Sequence, residues 1–243
     1  MADSNHVDVA RNYYNSVGAD SFYSMLWGGE DLHIGIYDSP DASIREASTR
    51  SVADMARLLA GIVPLGPQRS VLDLGAGYGG SARYLAREFG TAVTCLNLSA
   101  VQNQRNQQLT EEQGLESLVT VIEGSFEELP FADGSFDAVW SQDAILHSAR
   151  RERVLREAAR VLKPGGGFVL SDPMQSDSAK AADLQPVLDR FQLPSLASPG
   201  FYRSTAEAVG LEVLNFTDHT DQMAHHYARV LAALRDAEKE ARA

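Results

Sequence analysis

The sequence has one cysteine, Cys95, no long hydrophobic run and fewer basic than acidic residues. A single cysteine can form no disulfide within the chain, and its place in the apolar stretch T-A-V-T-C-L-N-L favours a buried strand thiol over a nucleophile. No apolar run approaches the roughly 20 residues of a membrane-spanning helix, and no basic region followed by an apolar one opens the chain. We therefore expect a cytoplasmic protein without membrane contact or redox chemistry.

The charge balance is strongly acidic, with 33 Asp and Glu against 21 Lys and Arg and a formal net charge of −12. Such a charge repels polyanions, which makes nucleic acids and anionic membranes poor partners. No tight group of cysteine and histidine residues predicts a metal site. The composition therefore favours a small molecule as the ligand, and we expect a monomer or a homodimer.

Three glycines at alternating positions follow a short apolar run in V-L-D-L-G-A-G-Y-G-G-S, residues 71–81. The run places Asp73 near the end of a strand, and Gly75, Gly77 and Gly79 allow positive φ and close approach of a ligand to the backbone. The helix that follows presents unpaired N–H groups and a partial positive charge. This turn predicts a site for part of a nucleotide-like cofactor, with glycines that merely build a turn as the alternative.

Short apolar strands alternate with helical patterns between residues 70 and 172. This alternation predicts an α/β fold with a doubly wound, mostly parallel sheet, whose ligands bind beyond the carboxyl ends of the strands. At 243 residues the chain fits a single domain. Residues 1–62 are predicted to form an N-terminal helical lid, with helices near 6–16 and 19–26, followed by a packing helix. A cofactor-binding core follows over 67–172 and a cap insertion over 173–210. Residues 211–243 are predicted to form a sixth strand, Leu211–Phe216, and a C-terminal helix.

Four segments occur in order between residues 67 and 172: D-L-G-A-G-Y-G-G, L-N-L-S-A-V-Q, G-S-F-E-E-L-P-F-A-D-G-S-F-D and V-L-K-P-G-G-G-F. Together they resemble the S-adenosylmethionine-dependent methyltransferases of the Rossmann-like type. The spacing G-x-G-x-G differs from the G-x-G-x-x-G of dinucleotide dehydrogenases, whose turn cradles a pyrophosphate. The resemblance implies S-adenosylmethionine as the cofactor and a methyl transfer that requires no metal.

Further segments narrow the resemblance. W-G-G-E-D-L-H-I-G-I-Y, S-Q-D-A-I-L-H and H-H-Y-A-R-V are similar to sarcosine/dimethylglycine N-methyltransferases, which make glycine betaine. S-x-D-x-I-L-H also resembles phosphoethanolamine methyltransferases. The implied reaction is methylation of the amine of sarcosine and dimethylglycine, a step of osmolyte synthesis. Methylation of phosphoethanolamine or of another small amine or hydroxyl, and cofactor binding without catalysis, are the alternatives.

The resemblance also implies which residues bind the cofactor. Gly75 and Gly77 would pass under its methionine portion, and Asp73 would hold its amino group. Asn97 stands where many relatives carry an acidic residue for the ribose hydroxyls, but an amide oxygen can still accept hydrogen bonds. Ser125 stands where many have an aspartate near the adenine. The predicted cofactor residues are Asp73, Gly75, Gly77, Asn97, Leu98, Gln102, Ser125, Phe126 and Gln142.

Asp143 and His147 are spaced i, i+4, so a short helix after the fourth strand would place both on one face above the transferred methyl group. By resemblance, Asp143 holds the substrate ammonium, while His147 and Tyr23 latch the lid and relay the proton. Aromatic rings suit a cationic product, and Arg203 is the predicted partner of the substrate carboxylate. The predicted substrate-binding residues are Trp27, Met174, Tyr202, Arg203, His226 and Tyr227.

The fold type usually ends with an antiparallel seventh strand, and no such pattern follows Leu234. We therefore expect a sheet without that last strand, which leaves a sheet edge without its usual cover.

Overall fold

The computed structural model describes residues 30–39, 41–191 and 193–241. The predicted lid helices, together with Tyr23 and Trp27, lie outside these residues. From Glu30 to Ser39 the chain runs without a helix or strand. None of the described helices is long and apolar enough to cross a membrane.

Five parallel strands form one sheet. They are β1 (Ser70–Leu74), β2 (Ala92–Asn97), β3 (Val119–Glu123), β4 (Phe136–Gln142) and β5 (Leu162–Ser171), in the spatial order β3-β2-β1-β4-β5. Asp73 on the central strand β1 pairs in register with Cys95 on β2 and Trp140 on β4. Strand order reverses between β1 and β4, which opens a crevice beyond their carboxyl ends. The predicted parallel sheet is confirmed.

Helices connect the strands. In the described residues they are α1 (Ile44–Ile62), α2 (Gly80–Phe89), α3 (Ala100–Glu112), α4 (Arg151–Val161), α5 (Ala181–Phe191), α6 (Pro199–Ala208) and α7 (Thr220–Ala241). The start of α1 is fixed by a reciprocal cap, in which Ser43 Oγ accepts from the Glu46 N–H and the Glu46 carboxylate accepts from the Ser43 N–H. Two glycines in the left-handed conformation, Gly79 and Gly90, bound α2 at its two ends.

Both faces of the sheet are buried. Leu72 and Leu74 point into an apolar cluster that includes α4 and α6, and Val71 and Trp140 point into a second cluster formed with α1 and α2. Cys95 belongs to the second cluster, and burial raises the pKa of its thiol above the usual range. The alternation of side chains along parallel strands therefore builds the two-sided core that a doubly wound sheet needs.

The predicted sixth strand is wrong. Leu211–Phe216 is irregular chain, and the side chains of Val213, Leu214 and Phe216 are exposed. An apolar pattern becomes a strand only when another strand offers its backbone for pairing, and in the described residues β5 pairs with β4 alone. β5 is the longest strand of the sheet, and a register shift between Phe136 and Ala138 on β4 accommodates its glycine-rich residues 163–167.

Candidate functional site

A cavity of about 390 Å³ opens beyond the carboxyl ends of β1, β2 and β4. Its floor is the turn from Gly75 to Tyr78 and its sides include residues that directly follow β2 and β4. The segment that begins at Glu30 and the helices α5 and α7 complete the lining. The cavity therefore lies where a doubly wound sheet binds its ligands.

The glycine turn comes close to the next strand connection. Gly75 has φ +79° and donates its N–H to the Leu96 carbonyl at 2.8 Å. A Cβ on Gly75 would lie 2.5 Å from the Cβ of Ala144, closer than side-chain atoms pack. Gly77 has φ +53° and is open towards the cavity apart from Leu32. The turn therefore needs glycine both for its backbone angles and for its contact with the residue that follows Asp143.

Two acidic side chains lie behind this turn. Asp73 is buried, and burial together with the charge of Asp31 raises the pKa of Asp73 to about 7. Burial also raises the pKa of Asp31, whose Oδ1 atom is buried and has no hydrogen-bond partner in the described part of the chain. A buried acid and a partly buried acid that lie close together favour a cation nearby. Asp31 was not predicted, and no sequence signal links it to a turn more than 40 residues away.

The segment containing Asp31 is held by a buried ion pair. Glu30 Oε2 accepts from Arg83 Nη2 at 2.8 Å, and the Arg83 side chain is buried beneath it. Burial alone would raise the pKa of Glu30, but the charge and hydrogen bonds of Arg83 hold it below its usual value. Arg83 Nη1 also donates to the side chain of Asn106 at 3.0 Å. The ion pair therefore fixes Glu30 as a charged wall of the cavity.

The predicted ribose residues lie together at the end of β2. Asn97, Leu98 and Gln102 line the cavity, and Asn97 Nδ2 donates to Gln102 Oε1 at 3.0 Å. With its amide nitrogen so engaged, Asn97 retains its Oδ1 atom as an acceptor. Phe126 also lines the cavity. Ser125 does not line the cavity. Its hydroxyl accepts the Glu127 N–H at 3.2 Å within the turn after β3.

Gln142, the last residue of β4, is buried at the cavity wall. Its Nε2 donates to Ser51 Oγ at 2.9 Å, and its Oε1 accepts from Ser81 Oγ at 3.1 Å. His33 Nε2 lies 3.3 Å from the same serine oxygen. This polar chain ties α1, α2 and β4 to the cavity lining, and His33 is a lining residue that the sequence analysis missed.

Asp143 lies in the cavity but not on a helix. Its backbone has φ +50°, and the turn that follows, Ile145–His147, is a short 3₁₀ helix. The predicted helix with Asp143 and His147 on one face is therefore wrong, because the left-handed backbone at Asp143 ends β4 before any helix begins. Asp143 Oδ2 accepts from the Ile34 N–H at 2.8 Å, and Oδ1 accepts from Ser171 Oγ at 2.7 Å. Both carboxylate oxygens are thus fixed in orientation.

His147 lines the same cavity. Burial, assisted by the positive charge of Arg151, lowers the pKa of His147 to about 4. The imidazole is therefore neutral near pH 7 and carries both a donor and an acceptor nitrogen. The structure brings Asp143 and His147 together, while their predicted partner Tyr23 lies outside the described residues.

Most of the predicted substrate residues lie away from the cavity. Tyr227 lines it, but Met174 packs against the core and Arg203 stacks on the exposed Phe216 with its Cζ 4.7 Å from the ring centre. The Tyr202 hydroxyl donates to Asp172 Oδ2 at 2.5 Å. Burial raises the pKa of Asp172 to about 7. The cavity instead receives Pro173, Arg190 and Phe191 from the chain after β5.

His226 is buried beneath the segment that binds Asp143. Its Nδ1 atom accepts the Gly35 N–H at 3.1 Å and lies 2.9 Å from the Tyr37 hydroxyl. Because a backbone N–H can only donate, Nδ1 is the unprotonated nitrogen and the hydroxyl donates to it as well. His226 therefore anchors the segment to α7 and does not face the cavity. The described residues contain no group of three or more His, Cys, Asp or Glu side chains arranged to hold a metal ion.

Comparison with known proteins places the chain in a family. A methyltransferase domain model matches residues 72–170. The chain is 53% identical over 237 residues to a glycine/sarcosine/dimethylglycine N-methyltransferase of Actinopolyspora halophila, covering 98% of this chain and 41% of that protein. It is 50% identical over 228 residues to a sarcosine/dimethylglycine N-methyltransferase of Halorhodospira halochloris, covering 94% of this chain and 81% of that protein.

The solved structure of a relative supports this family assignment. A protein from Galdieria sulphuraria, described as a sarcosine dimethylglycine methyltransferase, superposes with a TM-score of 0.87 at 46% identity, covering 91% of this chain and 84% of the other. The chain thus spans less than half of the first relative and about four-fifths of the second. The chain belongs to the S-adenosylmethionine-dependent methyltransferases, in the family of the sarcosine/dimethylglycine N-methyltransferases.

Proposed function

We propose that this protein transfers methyl groups from S-adenosylmethionine to the amine of sarcosine and dimethylglycine and so forms glycine betaine. The observation that carries the proposal is the Asp143 carboxylate, held by Ile34 and Ser171 at the cavity wall beside the neutral His147. An oriented carboxylate in a largely apolar cavity is a site for a small ammonium group. Relatives with 50–54% identity that carry this activity in their names support the assignment.

The residues around the glycine turn fit the cofactor. S-adenosylmethionine supplies, when bound, a methyl group activated on a sulfonium. Asp73 and Asp31 would attract the ammonium of its methionine portion, because that cation relieves the repulsion between the two neighbouring carboxylates. Gly75 and Gly77 would let this portion approach the backbone.

The opposite end of the cofactor site is polar and then aromatic. Asn97 and Gln102 would accept hydrogen bonds from the ribose hydroxyls, and Phe126 would cover the adenine. Gln142 would close the wall through its backbone, because its side chain is committed to Ser51 and Ser81.

Asp143 would orient the substrate nitrogen. Each of its carboxylate oxygens accepts one protein hydrogen bond and keeps a further lone pair for the ammonium. Methyl transfer needs the free amine. Desolvation in the cavity lowers the pKa of the substrate ammonium, whereas the Asp143 carboxylate raises it, so the proton needs an acceptor. His147 would pass the released proton onward, because a neutral imidazole can accept a proton at one nitrogen and release one from the other. The roles of Tyr23 and Trp27 remain predictions.

The chain after β5 would cover the substrate end. Pro173, Arg190 and Phe191 reach the cavity from residues 173–210, the predicted cap. Tyr227 of α7 would present its ring to the methylated product, since a quaternary ammonium over a desolvated aromatic face is stabilised by about 2 kcal/mol.

The test is transfer of a labelled methyl group from S-adenosylmethionine to sarcosine, dimethylglycine and phosphoethanolamine, each supplied separately at equal concentration. We expect label in dimethylglycine and betaine. Asp143→Asn should lower kcat by about 100-fold or more while the cofactor affinity changes by less than about threefold. Ser171→Ala, which removes one of the two hydrogen bonds to Asp143, is the milder matched variant, and its kcat should fall between those of the wild type and Asp143→Asn.

Two outcomes would contradict the proposal. Label in phosphoethanolamine alone would assign the site to phosphobases. Cofactor binding without transfer to any of the amines would make the chain a cofactor-binding protein without catalysis.

A further inference from the structure

The charged groups lining the cavity are few. Its acidic residues are Glu30 and Asp143, and Arg190 is the only lysine or arginine among the described lining residues. Glu30 is already neutralised by its ion pair with Arg83. Asp143 and Arg190 therefore remain as one negative and one positive group facing the same space.

Arg190 lies in the last turn of α5, a helix that has no buried residues. Its side chain takes no part in the apolar core, and in the described part of the chain no carboxylate forms an ion pair with it. The neighbouring Asp189 accepts from Gln185 Nε2 at 2.7 Å along the outer side of the helix. Phe191, the next residue, also faces the cavity. Arg190 is thus a cation that lines the cavity and has no carboxylate partner among the described residues.

We propose that Arg190 binds the carboxylate of the substrate, so that the cavity recognises an α-amino acid by its two charges, the ammonium at Asp143 and the carboxylate at Arg190. This rests on the proposed function. The guanidinium of an arginine can donate two parallel hydrogen bonds to a carboxylate, a geometry that the ammonium group of a lysine does not provide. Arg203, the arginine predicted from the sequence, lies on Phe216 at the surface and outside the cavity lining.

The assignment predicts a choice between two substrates. Dimethylglycine and N,N-dimethylethanolamine carry the same tertiary amine and differ by a carboxylate against a hydroxymethyl group. A site that binds only the amine group would accept both compounds. A site that contains Arg190 as the carboxylate partner should prefer the amino acid, because the amino alcohol leaves the guanidinium without its anion.

The experiment compares Arg190→Ala and Arg190→Lys with the matched surface variant Arg203→Ala. We expect Arg190→Ala to raise the KM for dimethylglycine by about 10- to 100-fold, the loss of a charge-assisted hydrogen-bonded pair, with cofactor affinity unchanged. Its activity on N,N-dimethylethanolamine should change by less than about twofold. Arg190→Lys should recover part of the loss, and Arg203→Ala should behave as the wild type.

Alanine favours helix formation, so Arg190→Ala should keep α5 intact, and circular dichroism checks this. If wild-type enzyme methylates dimethylglycine and Arg190→Ala keeps the wild-type KM, Arg190 is not the carboxylate partner and the proposed function stands. An equal loss on both substrates also overturns the assignment. Wild-type enzyme that methylates no N-methylated glycine overturns the proposed function and the role of Arg190 with it.

Discussion

Replacing Gly75 by alanine tests whether the glycine turn is shaped by its contact with the β4 connection. The new Cβ would lie 2.5 Å from the Cβ of Ala144, and the residue would keep φ +79°. Gly77→Ala is the matched control, since Gly77 has φ +53° but its Cβ would meet only Leu32 Cδ1, at 3.4 Å. The two variants share the backbone strain and differ in the collision.

The expected losses follow from these geometries. A left-handed backbone costs a non-glycine residue about 1–2 kcal/mol, which is the whole effect expected at Gly77. Overpacking in a rigid interior costs about 1–3 kcal/mol more, so Gly75→Ala should lose about 2–5 kcal/mol of unfolding free energy. Because Ala144 follows Asp143, the collision should also displace the carboxylate and lower turnover.

The assay is a double-mutant cycle in urea, monitored by circular dichroism, with Gly75→Ala, Ala144→Gly and the double variant. Removing the Ala144 methyl group should restore about 1–3 kcal/mol to Gly75→Ala and leave the strain of the left-handed backbone. Additive losses within about 0.5 kcal/mol would refute the reasoning, because the two positions would then not be in collision.

Two further predictions concern buried acids. In the cofactor-free protein, burial raises the pKa of Asp73 to about 7. The protonated carboxyl therefore stabilises the folded state, and this contribution is fully present below about pH 4 and is lost as the pH rises through 7. Asp73→Asn should reduce the fall in unfolding free energy between about pH 4 and about pH 7. Part of the fall should remain, because the pKa of Asp172 is raised in the same direction. If the urea midpoint of the variant depends on pH as in the wild type, the prediction is wrong. Asp137→Asn should cost about 1–2 kcal/mol, because it removes the charge of a buried carboxylate whose cationic partners, Arg69 and Lys163, are partly exposed to solvent. It should leave cofactor affinity intact, since Asp137 lies at the opposite end of β4. Urea unfolding and calorimetric titration with the cofactor measure both, and a loss of affinity at constant stability would overturn it.

Local patterns were enough to predict the sheet and the glycine turn that forms the floor of the cavity. Val71 to Leu74 is an apolar run that parallel neighbours bury from both sides, and the glycines after it are required by backbone angles that few other residues adopt. The same rules predicted too much at Leu211–Phe216, because an apolar pattern does not reveal whether a pairing edge is present.

Features set by distant contacts were missed. Asp31 follows Glu30, which is anchored to Arg83 on α2, and Arg190 lines the cavity from α5. The left-handed backbone of Asp143 could not be predicted from its sequence neighbours either, and its N–H donates to the distant Ser171 carbonyl at 2.9 Å. Such positions depend on chain segments that meet only after the sheet has formed.

Two successive backbone amides connect helix α7 to Asp143 in the cavity. The Ile34 N–H donates to Asp143, and the Gly35 N–H donates to His226 on α7. A movement that swung α7 away from the sheet would pull on Gly35 and so withdraw the Ile34 N–H from Asp143. The position of α7 and the orientation of the Asp143 carboxylate are therefore coupled through two adjacent peptide groups.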